Sequence, residues 1–222
     1  MTTLRVWDLA VRLGHWVLVI LVVASVTTGL TGGNAMTWHE RSGILILVLL
    51  LFRWGWGFLG SSSARFSDFV HGPRRVAAYA RDLLQRRAVH VAGHNPLGGW
   101  MVLLLLGALT LQTLTGLFAD DDILTSGPLA HLVSGSTRSQ LTAIHDSNAW
   151  VVITLAGIHV AAVLFHLLFS GENLVRPMID GRKAWPAELP PPALRFAPAG
   201  RALLLLLFSL GAVLAVLGLL GK

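Results

Sequence analysis

Residues 145–169 have the sequence HDSNAWVVITLAGIHVAAVLFHLLF, and this stretch decides the fold class of the chain. It is apolar and long enough to cross a bilayer as a helix, which takes about 20 residues. It also contains three histidines, His145, His159 and His166. Because a titratable imidazole is costly to place in hydrocarbon, a histidine within a membrane span indicates a functional site.

The first two of these histidines are fourteen residues apart. Fourteen residues are just under four turns of α-helix, so His145 and His159 point the same way within about 40° and lie roughly 21 Å apart along the axis. Both histidines can therefore lie within a hydrocarbon core that is about 30 Å thick. The spacing predicts two metal centres in series, of the kind in which a haem iron is held by histidines from two helices.

The composition of the whole chain is that of a membrane protein. Of its 222 residues, 54% are hydrophobic and only 13% are charged. The chain has no cysteine, which excludes thiolate-ligated haem, iron–sulfur clusters and covalent haem attachment within it. The charged start before the first apolar stretch predicts a retained helix and not a cleaved signal peptide. Long apolar runs predict five spans in one compact bundle, at 10–31, 38–59, 97–118, 143–170 and 201–220.

The segments between the spans differ in character. Residues 119–142 are mildly polar, and the Pro-rich residues 181–200 predict an extended linker. The expected organisation is therefore a four-helix domain at 1–180, the linker at 181–200 and an additional helix at 201–222. The segment SDFVHGPRRVAAYARDLLQRR at 67–87 predicts an amphipathic helix on the membrane surface. The side chains expected on its apolar side are Val76, Tyr79, Ala80, Leu83 and Leu84.

The distribution of cations predicts the orientation of the spans. One side of the topology has only Arg41, Arg138 and Lys222, so the positive-inside rule places the N-terminus in the cytoplasm and the C-terminus outside. The net charge of +6 is thus a topology signal, and nucleic-acid binding is the weaker interpretation because the cations flank apolar spans. The cations of the cytoplasmic side are Arg5, Arg12, Arg65, Arg74, Arg75, Arg81, Arg86, Arg87, Arg176, Arg182, Lys183, Arg195 and Arg201.

This topology sorts the histidines by depth. His39 and His145 lie near the outer ends of their spans, whereas His15 and His159 lie towards the cytoplasmic ends. Each level therefore has two histidines on different helices, as ligation of a flat macrocycle from both faces requires. Zinc is the competing metal, but it prefers a tetrahedral cluster of several ligands, which two separated pairs do not supply. The histidines expected to be ordinary loop residues are His71, His90, His94 and His131.

Several motifs resemble the bacterial cytochrome b561 family, which groups with the b-type cytochrome subunits of nickel–iron hydrogenases. The resemblance covers about residues 5–180, and its most specific part is the histidine spacing of the fourth span. It implies a four-helix core that binds two b haems; the fifth span departs from the simplest members. The motifs are RLGHW at 12–16, WHERSG at 38–43, GHNPLGG at 93–99, IHD at 144–146 and GIHVAAVLFH at 157–166.

The resemblance also implies roles for individual residues. His15 and His159 would be the axial ligands of the cytoplasmic-side haem, and His39 and His145 those of the outer haem, in agreement with the pairing by depth. His166 matches a position implicated in quinone binding. We expect a quinone headgroup site there, completed by Arg74, Arg75 or His94 of the basic loop.

Other residues fit a haem bundle less specifically. Arg12, Arg41 and Arg53 lie near the expected haem levels, where guanidinium groups pair well with propionates; snorkelling to the membrane interface is the alternative. Small residues let a helix or a porphyrin edge approach closely, although plain helix packing explains them equally well. The glycines concerned are Gly14, Gly29, Gly43, Gly107, Gly116 and Gly157.

These observations predict an all-α protein of the bacterial inner membrane that carries electrons between the quinone pool and a partner at the outer surface. That partner would be a c-type cytochrome or a hydrogenase-like enzyme. A stand-alone superoxide:quinone oxidoreductase and a non-redox transporter or sensor stay open, though the aliphatic mid-span residues disfavour transport. An acidic outer face would attract a basic c-type cytochrome. Its residues are Glu40, Asp120, Asp121, Asp122 and Asp146.

Overall fold

The computed structural model of the chain describes residues 2–85, 90–121 and 125–221. Strands β1 (Thr2–Arg5) and β2 (Arg182–Trp185) pair in an antiparallel sheet, with Thr2 opposite Trp185. Short 3-10 turns occupy Gly33–Ala35, Ser62–Ala64 and Ala130–Leu132. The helices are α1 (Leu9–Thr31), α2 (Met36–Leu59), α3 (Phe66–Phe69), α4 (Pro73–Leu84), α5 (Pro96–Gly116), α6 (Gly135–Phe169), α7 (Val175–Asp180) and α8 (Ala199–Leu220).

Helices α1, α2, α5, α6 and α8 are long and apolar enough to cross a membrane. The prediction of five helical spans in an all-α membrane protein is therefore confirmed. Large apolar side chains along these helices are exposed, for example Ile20, Phe208 and Leu219. Such surface suits hydrocarbon, because a helix satisfies its own backbone polar groups and needs no water along its sides.

Helix α6 begins earlier than the hydrophobic pattern predicted. The predicted span starts at 143, whereas the helix starts at Gly135. Ser134 caps this end, since its Oγ accepts a hydrogen bond from the Thr137 N–H at 3.3 Å and its carbonyl accepts one from Arg138 at 2.9 Å. Such a cap satisfies N–H groups that the helix leaves free. Hydropathy thus located the apolar part of the helix and missed its capped polar start.

The predicted surface helix within residues 67–87 forms as α4. Tyr79 is buried, and Val76, Ala80 and Leu83 are half-buried on the same side. Leu84 is 84% exposed, and its predicted place on the membrane-facing side stays a prediction. It lies at the edge of the apolar stripe, about 80° from Val76 around the helix. The residues Arg86 and Arg87, like Asp122 and Lys222, lie outside the described part of the chain.

The contacts divide the chain into two compact units. Unit 1 comprises Met1–Leu13, Trp54–Leu104 and Leu155–Ala202. Unit 2 comprises Gly14–Arg53, Leu105–Thr154 and Leu203–Lys222. Each unit has its own buried residues and its own group of histidines.

The core of unit 1 contains large aromatic side chains and one buried carboxylate. Trp56 is 1% exposed and Asp8 is 5% exposed. One oxygen of Asp8 accepts the Val11 N–H at 2.8 Å at the start of α1, and the other accepts the Trp56 indole N–H at 3.1 Å. Strand β2 lies within the segment expected to be a linker, and its Trp185 is buried. Pairing with β1 therefore anchors this part of the chain.

The core of unit 2 is mainly aliphatic. Leu50 of α2, Leu106 of α5 and Val152 of α6 are buried within it. Helix α8 contributes Ser209 and Val213, which are both buried. The fifth span is therefore packed into this unit.

Candidate functional site

Two histidines of unit 2 face each other, His39 on α2 and His145 on α6. Their ring centroids are 5.9 Å apart and their planes are 84° apart. With metal–nitrogen bonds of about 2 Å, as for zinc, imidazoles on opposite sides of one metal have centroids roughly 6 Å apart. The observed separation therefore fits two axial ligands of a single metal.

A backbone carbonyl holds each of these rings in the same way. Nδ1 of His39 lies 2.8 Å from the carbonyl oxygen of Ser25, and Nδ1 of His145 lies 2.9 Å from that of Gln112. Because a carbonyl oxygen can only accept, each Nδ1 carries the proton and donates it. Each Nε2 consequently keeps its lone pair, which is the form in which imidazole binds a metal.

The same two rings rest on glycines of neighbouring helices. A Cβ at Gly29 would lie 2.9 Å from Nδ1 of His39, and one at Gly116 would lie 2.8 Å from Cε1 of His145. Both distances are too short for carbon contacts, so a side chain would displace the rings. Of the glycines singled out in the sequence, these two are needed for an imidazole to pack closely. A Cβ would meet nothing within 4 Å at Gly14, Gly43, Gly107 or Gly157.

His145 differs from His39 in the contact of its Nε2. The side-chain nitrogen of Gln112 lies 3.1 Å from this atom, while its oxygen accepts a hydrogen bond from the Asn148 amide at 2.8 Å. Because that oxygen acts as an acceptor, the nitrogen donates to His145. Nε2 of His39 has no hydrogen-bond partner among the described residues. A metal binding at His145 must therefore displace Gln112.

Throughout residues 2–85, 90–121 and 125–221, no group of three or more His, Cys, Asp or Glu side chains is placed to hold a metal ion. Zinc sites need several such donors. A pair of opposed imidazoles instead fits a metal whose remaining ligands come from a macrocycle, as in haem. The donor set of His39 and His145 therefore fits haem iron.

The second predicted pair is divided between the units. His15 belongs to unit 2, where its ring packs edge-on against Trp16 with centroids 5.1 Å apart. His159 belongs to unit 1 and is half-buried on α6. Their ligation of one haem stays a prediction.

The three arginines predicted to meet propionates have different surroundings. The guanidinium of Arg12 donates to the carbonyl of Ile179 within unit 1. Arg41 lies over the ring of Trp38, 5.3 Å from its centroid, and Arg53 is half-buried on α2. Their pairing with propionates stays a prediction.

The predicted acidic face is partly neutralised. Asp120 forms an ion pair with Arg138 at 2.5 Å. Glu40, Asp121 and Asp146 are exposed. Those three carboxylates are thus the exposed part of the face that the structure describes.

A cavity of about 810 Å³ lies in unit 1 beside His166. Arg74, Arg75 and His94 are not among its lining residues, and their part in a quinone site stays a prediction. Both arginines are exposed on α4, and His94 stacks on aromatic rings, 4.7 Å from Trp7 and 4.5 Å from Phe69. The lining instead includes Tyr79, His90, Phe165, His166, Phe169, Glu172, Arg176, Asp180, Arg182 and Lys183.

Within this cavity His166 contacts a carboxylate. Its Nδ1 lies 3.3 Å from Oε2 of Glu172, and Lys183 forms an ion pair with the other oxygen. Burial raises the pKa of Glu172, but the close contact and charge of His166, together with Lys183, outweigh burial and lower this pKa to about 2. Burial, and then the charge of Glu172, raise the pKa of Tyr79 to about 12.

Four of these residues were not predicted from the sequence. Gln112 had a local signal, because it precedes Gly116 by four positions just as Ser25 precedes Gly29. Glu172 follows Gly171 directly after a span, a weaker signal. Asn148 and Lys183 had none, since no local pattern links them to their partners. They are Ala108 and Gln112 for Asn148, and Val91 and Glu172 for Lys183.

Comparison with known proteins agrees with this geometry. The sequence model of the family described as prokaryotic cytochrome b561 matches residues 6–181. The chain belongs to the prokaryotic cytochrome b561 family. It is also 24% identical over 220 residues to the probable Ni/Fe-hydrogenase B-type cytochrome subunit of Rhodobacter capsulatus, across 83% of this chain and 82% of that protein. No solved structure matches the chain significantly.

Family membership confirms the resemblance found in the motifs. This cytochrome is a multi-pass bacterial membrane protein of the b type that acts in electron transfer, and the family implies haem b as its cofactor. The separation of the His39 and His145 rings and the carbonyl contacts of their Nδ1 atoms fit that cofactor independently of the family.

Proposed function

We propose that this cytochrome binds two b haems and carries electrons across the inner membrane between the quinone pool and a redox partner at the outer surface. The observation that supports this most strongly is the pair of opposed imidazoles of His39 and His145. Both rings are oriented by backbone carbonyls so that Nε2 is the metal-binding atom. These two residues would hold the outer haem, and His15 with His159 the cytoplasmic-side haem.

Haem b supplies reversible one-electron redox chemistry, and the protein controls its ligation and surroundings. Ser25 and Gln112 fix the tautomers of the two outer ligands through their carbonyl groups. Gly29 and Gly116 leave the space into which the two rings fit. Arg12, Arg41 and Arg53 are the candidates to pair with propionates, because guanidinium groups match carboxylates well.

The cavity beside His166 is the proposed quinone site. Its volume of about 810 Å³ lies in the range usual for small-molecule sites. Phe165 and Phe169 give it an apolar, aromatic wall, and His166 and Lys183 add polar groups for the oxygens of a headgroup. A quinone is an apolar ring with two polar oxygens, so this lining suits it.

The partner at the outer surface is proposed to be a c-type cytochrome or a hydrogenase-like enzyme. The similarity to a hydrogenase B-type cytochrome subunit supports the second of these. The exposed carboxylates Glu40, Asp121 and Asp146 would attract a basic partner. The cation distribution supports a cytoplasmic N-terminus and a periplasmic C-terminus.

The test is a reduced-minus-oxidised optical spectrum of the purified protein, with pyridine haemochrome quantitation of haem per chain. We expect two b haems per chain with low-spin bands, because each proposed site supplies two imidazole ligands. One haem per chain would refute the two-haem proposal. If protein produced under haem-replete conditions contains no haem, the proposed electron-transfer function is overturned. The histidines would then have metal-transport or structural roles.

A further inference from the structure

We propose that Glu172 is a positioning residue that makes His166 the group exchanging protons with the quinone headgroup, with Lys183 fixing the carboxylate. This inference rests on the proposed quinone function and extends it. Oxidation or reduction of a quinone moves protons as well as electrons, so the site needs a proton acceptor and donor. The cavity in unit 1 contains an arrangement suited to that task.

The end of α6 places the carboxylate on the imidazole. Gly171 has a φ of +64°, a left-handed conformation that glycine adopts without strain. The turn brings the Glu172 N–H to the carbonyl of His166 at 3.0 Å. The side chain of Glu172 then reaches Nδ1 of the same histidine at 3.3 Å. One short turn therefore binds Glu172 to His166 through both backbone and side chain.

Lys183, eleven residues further along the chain, fixes Glu172. It lies on β2, which pairs with β1, and its ammonium group contacts Oε1 of Glu172 and the carbonyl of Val91. The carboxylate thus has one oxygen on a fixed cation and the other on His166. It stays ionised at neutral pH, because its pKa is about 2. The anion beside Nδ1 is therefore permanent under physiological conditions.

A carboxylate beside Nδ1 has two consequences for the ring. At 3.3 Å the carboxylate is within ion-pair distance of Nδ1, which makes no hydrogen bond in this structure. It therefore attracts positive charge on the ring, and it faces the side of the ring opposite to Nε2. Nε2 of His166 has no hydrogen-bond partner among the described residues, and the ring lines the cavity. A headgroup hydroxyl in the cavity would therefore meet a proton acceptor at Nε2 with a fixed anion on the other side of the ring.

The other charged groups around the cavity are few and identifiable. Tyr79 on α4 lies in its wall, and its pKa of about 12 keeps it protonated. Arg176 and Asp180 on α7 pair with each other at 3.2 Å. His90 and Arg182 complete the titratable lining. Of these groups, Glu172 is the carboxylate that contacts His166.

The proton balance of quinol oxidation follows from this geometry. An O–H bond of the quinol breaks, and its proton forms an N–H bond at Nε2 of His166. The second proton would go to water, and the two electrons would be taken up by the two ferric haems of the proposed function, one electron by each. Quinone reduction runs the same proton steps in reverse.

The experiment uses the full-length, haem-loaded protein in lipid nanodiscs. A short-chain ubiquinol is added, and haem reduction is followed optically across a range of pH. We expect Glu172→Gln to slow this reduction at least roughly tenfold, because a positioned acid–base group typically contributes 10²–10⁴-fold. The pH profile of the rate should differ from that of wild type, since the amide removes the fixed negative charge beside the ring.

Three further variants make the result specific. Glu188→Gln, the same change at an exposed carboxylate of unit 1 outside the cavity, should leave rate and pH profile unchanged. Glu172→Asp and Lys183→Arg keep the charges and should recover much of the rate. Dithionite, which bypasses the quinol, should reduce the haem fully in every variant, and a wild-type low-spin spectrum of the reduced form shows that each is folded around its haem.

The outcomes separate the inference from the proposed function. If ubiquinol fails to reduce the wild-type haem while dithionite succeeds, the quinone function itself is overturned. If ubiquinol reduces wild type and Glu172→Gln with equal rates and pH profiles, the role of Glu172 is overturned and the quinone function stands. If Glu172→Gln loses haem and Glu172→Asp keeps full activity, the result supports the proposed role of the carboxylate at position 172. Loss of rate in Glu172→Asp with normal dithionite reduction would oppose it.

Discussion

The histidines of unit 2 and the buried histidine of unit 1 differ in the atom that faces Nδ1. In unit 2, His39 and His145 both place Nδ1 on a backbone carbonyl, at 2.8 and 2.9 Å. In unit 1, His166 places Nδ1 beside the carboxylate of Glu172 at 3.3 Å. All three residues lie on long apolar helices, so their position in a span does not distinguish them.

The difference indicates what each ring is suited to do. A carbonyl fixes the tautomer without adding a full charge, which suits a neutral imidazole that binds a metal through Nε2. A carboxylate adds a full negative charge, which suits a ring that gains and loses a proton. The partner of Nδ1 therefore separates the proposed ligands from the proposed proton carrier.

The largest expected effect is on haem content. His145→Ala removes a proposed axial ligand and should lower the haem b content from two per chain to one. His166→Ala removes a histidine of the same helix that is not a proposed ligand, and it should keep both haems. Pyridine haemochrome quantitation of both variants measures this difference. Equal haem content in the two would contradict the assignment of His145 as a ligand and His166 as a residue that does not bind haem.

A smaller effect on the haem spectrum is expected from changing a glycine that packs against a ligand ring. Gly116→Ala would place a Cβ 2.8 Å from the ring of His145, whereas a Cβ at Gly107 on the same helix meets nothing within 4 Å. Overpacking typically costs about 1–3 kcal/mol, and alanine is otherwise the better helix former. We expect the low-spin haem band to weaken in Gly116→Ala and to persist in Gly107→Ala. Identical spectra would show that the ring does not need this space.

The smallest effect is on stability in acid. The pKa of Glu172 falls from its usual 4.5 to about 2 in the folded chain, so its stabilisation is complete above pH 4.5 and is lost as the pH falls towards 2. At 1.36 kcal/mol per pH unit this is at most about 3 kcal/mol. Thermal unfolding in detergent should show a lower Tm for Glu172→Gln than for wild type at pH 7.

That gap in Tm should narrow at pH 3, because part of the wild-type stabilisation has then been lost. Glu188→Gln serves as the control and should follow wild type at both values of pH, since its carboxylate is exposed. A gap of equal size at pH 3 and pH 7 would mean that Glu172 stabilises the chain by something other than its charge.

The sequence predicted the parts of this molecule that depend on local pattern. The five spans follow from runs of apolar residues, and the motifs around His15, His39, His145 and His159 predicted the family. The boundary of α6 was predicted less well, because its first turns are polar and a cap at Ser134 starts the helix.

The candidate sites were predictable only in part. The chain order of the histidines, together with the positive-inside rule, paired His39 with His145, and the structure brings those two rings together. The basic-loop residues expected at the quinone site do not line the cavity beside His166, and the ring of His94 instead contacts the rings of Trp7 and Phe69. No pattern within the loop reveals that stacking, since both partners lie at least 25 residues away in the sequence.

By itself the sequence determined that this is a helical membrane protein with paired histidines, because hydropathy and helical spacing are local properties of the chain. Only the tertiary structure decided which chemical group faces each imidazole. Ser25, Gln112 and Lys183 reach their partners through packing of helices and pairing of strands that are distant in sequence. A histidine's neighbours in space set its charge and tautomer, and the chain specifies those neighbours only once it has folded.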